Sequence, residues 1–179
     1  KVLNQIISET FTSDYIKMFL PEEISSKDIM QGDFDYIFFT GSTQAGRQIA
    51  KTAGERLIPY TLELGGKSPV IIDDTADLKV SARRIVKGKF MNAGQTCIAP
   101  DYLFAHASIR EKLILEMINA IQEFYGTYTP ESTDYGRIID IEAFNRLSKL
   151  IKSSKDKIIY GGHSDECTLY IEPTLIVED

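Results

Sequence analysis

Tryptophan is absent from this sequence of 179 residues, and histidine and cysteine are scarce, with two of each. The cysteines, Cys97 and Cys167, stand 70 positions apart and form neither a CxxC pair nor a dense cysteine framework. Disulfides and a structural zinc site are therefore not expected, and no metal site is predicted. His106 and His163 are the only imidazoles available for chemistry.

Long hydrophobic runs and clustered positive charge are missing as well. The apolar runs are only a few residues long, far short of the roughly 20 residues of a membrane span. The net charge is −6, with lysine and arginine scattered along the sequence, so neither nucleic acid nor an anionic membrane is an expected partner. No apolar segment of the signal-peptide kind opens the sequence, and we expect a cytoplasmic protein.

Short apolar segments alternate with stretches of helical spacing, which is typical of an α/β fold with parallel sheet layers and helices on their faces. The predicted strands cover Asp14–Leu20, Phe34–Phe39, Tyr60–Leu64, Pro69–Asp73, Asp101–Ala105, Lys157–Tyr160 and an extended Tyr170–Val177. The predicted helices cover residues 1–11, Glu22–Met30, a segment with Ala45, Ile49, Ala53 and Leu57 inward, a segment from Asp77 to Gly94, another from Ser108, and Ile141–Lys152.

A turn between a predicted strand and helix carries the pattern Gly41-Ser-Thr-Gln-Ala-Gly46. Gly41 permits a tight bend and Ser42 can cap the helix, so the free N–H groups of the helix face any anion at the end of the strand. This is a phosphate-binding geometry. The turn lacks both the GxGxxG fingerprint and the Lys-Ser/Thr of a P-loop, and an ordinary capped helix is the alternative.

Glu63 stands inside an apolar strand, directly before the pair Gly65-Gly66. A carboxylate among leucines is costly unless it is hydrogen-bonded or neutralised, and such a group is suited to act as a general base. The alternative is a side chain that points to solvent from an edge strand. The glycine pair predicts backbone that passes close to another group, such as a ligand.

Cys97 lies between a helix that Gly94 is expected to end and a strand that Pro100 opens. Regular structure on both sides can hold such a thiol while its sulfur faces a cleft, as a covalent nucleophile requires. The alternative is a cysteine buried as a small apolar side chain.

Three segments together resemble the aldehyde dehydrogenase family: Phe39-Thr-Gly-Ser-Thr-Gln-Ala-Gly-Arg47, Leu62-Glu-Leu-Gly-Gly-Lys-Ser-Pro69 and Gly94-Gln-Thr-Cys97. The resemblance runs essentially from end to end. The amino-acid sequence from Phe90 to Asp101 is most similar to that of the class 3 branch, whose members oxidise aliphatic and aromatic aldehydes with NAD or NADP.

The resemblance implies NAD(P)-dependent oxidation of an aldehyde to a carboxylic acid. It makes Cys97 the nucleophile, which forms a thiohemiacetal and, after hydride transfer to the nicotinamide, a thioester. It makes Glu63 the general base that helps Cys97 to ionise and activates the hydrolytic water. The N–H of Cys97 would supply half of an oxyanion hole, whereas Cys167 has no family role and is interpreted as packing. The residues implied to bind the cofactor are Thr40, Gly41, Ser42, Thr43, Gly46, Leu64 and Gly65.

The resemblance also implies a domain organisation. Residues 1–60 are expected to be the second half of a Rossmann-like dinucleotide-binding domain, and residues 61–179 most of a catalytic domain, so the fold is expected to be incomplete at both ends. The intact enzyme is expected to be a homodimer, and this segment alone is expected to be inactive.

Two other functions are compatible with the sequence. A cysteine hydrolase would need His106 or His163 near the sulfur of Cys97, and no short motif indicates either. A folded but non-catalytic module of the same family, which binds another subunit, is the second alternative.

Overall fold

The computed structural model describes residues 1–20 and 22–178. Pro21, where a predicted strand ends, and Asp179, where the predicted catalytic domain ends, lie outside the described residues. The chain forms two compact units, which divide between Leu64 and Gly65. The division lies a few residues beyond the predicted boundary at residue 60, because the strand that starts at Tyr60 pairs within the first unit.

The first unit holds two parallel strands and one long helix. Its elements are α1 (Val2–Thr10), α2 (Ser26–Ile29), β1 (Ile37–Thr40), α3 (Thr43–Glu55) and β2 (Tyr60–Glu63). Strands β1 and β2 pair in parallel, and α3 connects them. A small core of Ile37, Ala53 and Ile58, with Met30, Phe39 and Ile49 packed against it, joins the helix to the strands.

Three predictions in the first unit are wrong. The helix predicted over Glu22–Met30 is reduced to the four residues of α2, because residues 22–23 form a turn and residues 24–25 have no regular structure. The predicted strand Asp14–Leu20 is a turn followed by irregular backbone, and no partner strand lies beside residues 14–20 among the described residues. Tyr15, Ile16 and Phe19 are exposed, Tyr15 by 76%, and no residue of the segment is fully buried, so it lacks both the pairing and the burial that stabilise a strand. Leu57 does not face the core from α3: the helix ends at Glu55, Leu57 has a φ of 57° and is 91% exposed, and Ile58 is buried instead.

The second unit is built around a second parallel pair. Its elements are β3 (Ser68–Ile72), α4 (Leu78–Phe90), β4 (Pro100–Ala105), α5 (Arg110–Tyr125), α6 (Ile141–Ser153), β5 (Ile158–Tyr160), β6 (Ser164–Asp165), β7 (Tyr170–Ile171) and β8 (Leu175–Ile176), with 3-10 turns at Met91–Gly94, Ala107–Ile109, Thr129–Glu131 and Lys155–Lys157. Strand β3 pairs with β4 in parallel, while β5 pairs with β8 and β6 with β7 antiparallel.

The core of the second unit lies between helices α4 and α5 and one face of the β3–β4 pair. The helical spacing from Asp77 onward predicts Leu78, Ala82, Ile85, Val86 and Phe90 as the inward residues of α4. The last four are buried and Leu78 packs against them, partly buried. Asp77 caps the helix by accepting a hydrogen bond from the N–H of Val80 at 3.0 Å. From α5, Leu113, Met117 and Ile121 are buried in the same cluster.

The parallel strands connected by helices confirm the predicted α/β fold. The predicted extended segment Tyr170–Val177 is divided into β7 and β8, which belong to different antiparallel pairs. The pairing of β6 with β7 has no counterpart in the predictions. Within the described chain, no helix combines the length and the apolar character that crossing a membrane would need.

Candidate active site

The turn between β1 and α3 presents a helix N-terminus to solvent. Ser42 caps α3 with its hydroxyl, which accepts a hydrogen bond from the N–H of Ala45 at 3.1 Å. Thr40, Gly41 and Thr43 are exposed beside it. Since the first N–H groups of a helix have no partner within the helix, this end can bind an anionic group such as a phosphate.

The two glycines of this turn are explained by close packing. A Cβ on Gly41 would lie 2.5 Å from the ring of Phe39, and a Cβ on Gly46 would lie 2.7 Å from the Leu64 side chain. Gly46 is buried, so its absent side chain lets α3 approach β2 closely. Gly41 is exposed and keeps the backbone accessible at the mouth of the turn.

Glu63 ends β2 beside this turn. It is the parallel-register partner of Thr40, and its carbonyl accepts a hydrogen bond from the N–H of Gly41 at 3.0 Å. The Glu63 side chain is exposed, so the surroundings of buried leucines that its sequence suggests are absent from this unit. The structure therefore places a solvent-facing carboxylate next to the helix N-terminus, and the carboxylate's position agrees with the alternative interpretation.

Cys97 lies on an exposed turn in the second unit. The N–H of Ala99 donates to the carbonyl of Thr96 at 3.1 Å, so Cys97 and Ile98 are the two central residues of a β-turn. This turn hydrogen bond leaves the N–H groups of both central residues available to a ligand. The Cys97 side chain is exposed, which excludes the alternative of a buried packing residue.

The backbone that leads to Cys97 differs from the predicted helix end. Helix α4 ends at Phe90 rather than at Gly94, and a tight turn follows. In that turn Asn92 and Ala93 have φ values of 54° and 53°, and Gly94 has a φ of 80°. Three successive residues therefore adopt the left-handed region, which only glycine enters without cost.

Close packing explains one of the two glycines that follow β2, Gly66. A Cβ on Gly66 would lie 2.5 Å from the carbonyl oxygen of Cys97, whereas a Cβ on Gly65 would meet nothing within 4 Å. The predicted close approach is therefore real at Gly66. The group that it approaches within this unit is the backbone of Cys97.

A small group of charges ties this loop to the neighbouring strands. The Asp101 carboxylate forms ion pairs with Lys67 and with Lys89, the latter at 3.5 Å. Partial burial is the largest single influence on the Asp101 carboxyl and raises its pKa, but the two ammonium groups together outweigh it and the pKa is lowered. Asp101 is thus a carboxylate that links β4 to the start of β3 and to the end of α4.

The interpretation of Cys167 as a packing residue is wrong, because its side chain is exposed. It lies in the short turn between β6 and β7, where its N–H donates to the Asp165 carboxylate at 3.0 Å.

The two histidines that a cysteine hydrolase could use as its base, His106 and His163, each interact with a neighbouring side chain. His106 hydrogen-bonds through Nδ1 with the Ser108 hydroxyl at 2.8 Å, and the ring centre of His163 lies 6.2 Å from that of Tyr170.

The structure divides the predicted site residues between the two units. The first unit gathers Thr40, Gly41, Ser42, Thr43, Gly46, Glu63 and Leu64 at one turn, and the second unit carries Gly65 and Cys97. Sequence reasoning missed Gln95, whose amide group fixes the loop before Cys97. A glutamine followed by a cysteine two residues later gives no local signal for this role, since its partners lie 42 and 44 residues further along.

Comparison with known proteins places these features in a family. The protein-family model described as "Aldehyde dehydrogenase family" matches residues 19–178. The 4,4'-diaponeurosporen-aldehyde dehydrogenase of Staphylococcus aureus is 46% identical over 176 residues, which are 98% of this chain and 38% of that protein. Aldehyde dehydrogenase family 3 member A2 of Mus musculus is 39% identical over 178 residues, 99% of this chain and 36% of that protein.

A solved structure gives the same result for the fold. The structure described as the substrate-bound state of Staphylococcus aureus AldH is 46% identical and superimposes with a TM-score of 0.90. The match covers 98% of this chain and 38% of that chain. The chain therefore spans less than two fifths of the length of the relatives that it matches.

Proposed function

Because the chain belongs to the aldehyde dehydrogenase family and is similar to its class 3 branch, we propose that the protein oxidises an aldehyde to a carboxylic acid with NAD or NADP. The observation that supports this proposal most directly is the exposed Cys97 at the centre of a β-turn. A thiol in this position can reach a substrate carbonyl. The cytoplasmic location stays a prediction.

The turn between β1 and α3 fits the dinucleotide of such a reaction. Ser42 caps a helix whose first N–H groups are free for a phosphate, and Thr40, Gly41 and Thr43 are exposed around it. We assign the pyrophosphate to this N-terminus, with Gly46 allowing α3 to lie close to β2. Thr40 and the backbone of Leu64 and Gly65 are assigned to the nicotinamide end.

The proposed chemistry begins at Cys97. Its thiolate adds to the aldehyde carbon, and its own N–H donates to the oxygen that becomes negatively charged. A bound nicotinamide dinucleotide supplies the acceptor for the hydride. Loss of that hydride from the thiohemiacetal carbon leaves a thioester on Cys97.

Glu63 is proposed to complete the cycle as general base. Its exposed carboxylate can take a proton from the water that attacks the thioester, which releases the carboxylic acid and regenerates the thiol. Glu63 and Cys97 belong to different units, so their cooperation is part of the proposal. The hydrogen bond from Gly41 to the Glu63 carbonyl gives the base and the cofactor turn a common backbone anchor.

The test is Glu63→Gln in the full-length protein. The amide is nearly isosteric with the carboxylate but cannot accept the proton, so steady-state aldehyde oxidation should fall about 100-fold or more. A pre-steady-state burst of NADH or NADPH should be slowed much less, because hydride transfer precedes hydrolysis. Glu55→Gln, at the exposed end of α3, is the matched control and should leave both phases unchanged. Unchanged steady-state turnover in Glu63→Gln would remove Glu63 from the mechanism.

The cysteine hydrolase alternative loses one of its two possible bases. Cys97 precedes β4 and His106 follows it, so six strand residues, about 20 Å of extended chain, separate them. His106 cannot reach the Cys97 sulfur across that distance.

We further propose that the full-length protein is a homodimer, as the family resemblance implies. Sedimentation equilibrium of the full-length protein would test this directly.

A further inference from the structure

The loop before Cys97 is strained. Asn92 and Ala93 are two of the four non-glycine residues with positive φ in the described chain. A left-handed conformation is unfavourable for alanine, because its Cβ comes too close to the carbonyl oxygen that follows, and asparagine tolerates it better. Such a conformation persists only where the surrounding structure over-determines it. The bonds that hold this turn therefore decide where Cys97 lies.

Gln95 supplies those bonds with nearly all of its amide group. Its side-chain nitrogen donates to the carbonyls of Asn92 and Arg137, both at 3.0 Å. Its side-chain oxygen accepts from the N–H of Ile139 at 2.9 Å. A primary amide has two donors and an acceptor oxygen with two lone pairs, so three of its four positions are occupied. Gln95 thus joins the left-handed turn to residues 137–139.

The backbone of Gln95 is engaged in the same turn. Its N–H donates to the carbonyl of Asn92 at 3.1 Å, and its own carbonyl accepts from the Asn92 side-chain amide at 3.3 Å. Asn92 and Gln95 therefore each donate a hydrogen bond to the carbonyl of the other. The side chain of Gln95 connects these two residues to residues 137–139.

Residues 137–139 are a firm anchor for this connection. Ile138 is buried and its N–H donates to the carbonyl of Leu169 at 3.0 Å. The Arg137 guanidinium donates to the carbonyl of Pro130 at 2.6 Å and lies 5.0 Å from the centre of the Tyr170 ring. Arg137 and Ile138 therefore tie the segment to the core.

We propose that Gln95 is the positioning residue of the reaction: it transmits the rigidity of residues 137–139 to the turn that presents Cys97. The proposal rests on the proposed role of Cys97 as nucleophile. The three side-chain hydrogen bonds of Gln95 all go to backbone atoms of the unit. It acts by fixing the left-handed turn, and with it the direction of the Thr96–Ala99 turn whose free N–H groups surround the thiol.

The test compares two variants in the full-length protein. Gln95→Met keeps a similar length and loses all three side-chain hydrogen bonds. Gln95→Glu keeps an oxygen that can accept from Ile139 but can no longer donate to Asn92 or Arg137. Gln48→Met, an exposed position of α3, is the matched control.

Three measurements separate positioning from simple destabilisation. Hydrogen exchange at the Ile139 amide should be about 10-fold faster in Gln95→Met and near wild type in Gln95→Glu. The alkylation rate of Cys97 with iodoacetamide, divided by that of Cys167 in the same molecules, should fall at least about fivefold in both variants. The kcat should fall about 10- to 100-fold with a smaller change in KM, as expected for a reacting group displaced by a fraction of an ångström to 1 Å.

The alkylation ratio decides whether Gln95 positions the thiol, and kcat decides whether that position matters for the reaction. If both variants keep the alkylation ratio and kcat within about twofold of wild type, Gln95 does not position Cys97. If Gln95→Met fails to fold, the alkylation ratio of Gln95→Glu alone decides. If the ratio falls in the variants while the wild-type protein oxidises no aldehyde, the positioning role stands and the proposed function fails.

Discussion

At the scale of single residues, the missing side chain of Gly66 makes room for the backbone carbonyl of Cys97. In Gly66→Ala the new Cβ would meet the Cys97 carbonyl at 2.5 Å, and because that oxygen belongs to the backbone, the loop must move. We expect the free energy of unfolding to fall by about 1–3 kcal/mol. Urea denaturation of the variant would measure the change.

The neighbouring glycine provides the control for this substitution. Gly65→Ala adds the same atom where nothing lies within 4 Å, and we expect a change below about 0.5 kcal/mol. Equal destabilisation by both variants would show that the glycine pair is needed for flexibility rather than for the close approach of Gly66 to Cys97.

The two exposed cysteines should differ in reactivity although both are accessible. The turn N–H groups of Cys97 and Ile98 can donate to negative charge that develops near the Cys97 sulfur during alkylation. The Asp165 carboxylate accepts a hydrogen bond from the Cys167 N–H, and its negative charge opposes such a charge at Cys167. Iodoacetamide should therefore label Cys97 first. Peptide mass spectrometry after a short pulse would give the order, and faster labelling of Cys167 would contradict the assignment of the nucleophile.

At the scale of elements, Asp101 joins β4 to α4 and makes their association sensitive to acid. Burial raises the pKa of its carboxyl, but Lys67 and Lys89 together lower that pKa by a larger amount, so the net shift is downward. A carboxyl with a lowered folded-state pKa stabilises the fold above its unfolded pKa of about 4. That contribution is lost as the pH falls through the lower, folded-state value.

We therefore expect Asp101→Asn to flatten the loss of stability below about pH 4 that the wild type shows. The variant should be less stable than the wild type at neutral pH, and the two should converge in acid. Thermal unfolding between pH 2 and pH 7 would test this. Asp74→Asn, on an exposed turn, is the control, and an equal change in its acid limb would argue against a specific role of Asp101.

Elements whose stability is local could be predicted from the sequence, and those that depend on distant partners could not. Helix α4 carries its own cap, Asp77, and its own apolar spacing, so its start and its inward residues are readable. The segment Asp14–Leu20 has the composition of a strand but no neighbour to pair with among the described residues. Leu57 continues the helical spacing, yet the chain leaves the helix before it and buries Ile58.

The candidate site shows the same division. Ser42 and the glycines beside it are readable because a cap and a close approach each need a particular residue type. The strained turn at Asn92 and Ala93 is not, since alanine carries no preference for positive φ. The role of Gln95 is fixed by residues more than 40 positions away, which no local pattern encodes.

At the scale of the whole molecule, the second unit leaves one face of its parallel pair uncovered. Helices α4 and α5 cover the face with Val70, Ile72 and Leu103, while Ile71 and Phe104 on the opposite face are 80% and 61% exposed. Parallel sheets are normally covered on both faces. A polypeptide of only these 179 residues therefore presents an apolar surface to water.

Such a polypeptide should associate and should not turn over aldehydes at a useful rate. It spans 38% of a relative's length, and a loss of about 1 Å in the alignment of thiol, carbonyl and cofactor can cost about 100-fold in rate. Reduction of NAD or NADP with a panel of aldehydes, beside the full-length protein, would test the activity, and light scattering would test the association. Turnover equal to that of the full-length protein would show that the cofactor and thiol regions suffice by themselves.

The hydrogen bonds of Gln95 also impose an order on folding. Two of them join Gln95 to Arg137 and Ile139, which lie 42 and 44 positions further along the chain. Strand β4 and all of α5 lie in between. Closing a loop of this length costs chain entropy before its contacts repay it, so the helices and strands inside it form first. We therefore expect the turn at Cys97 to take its final shape late, after residues 137–139 have been synthesised and have docked.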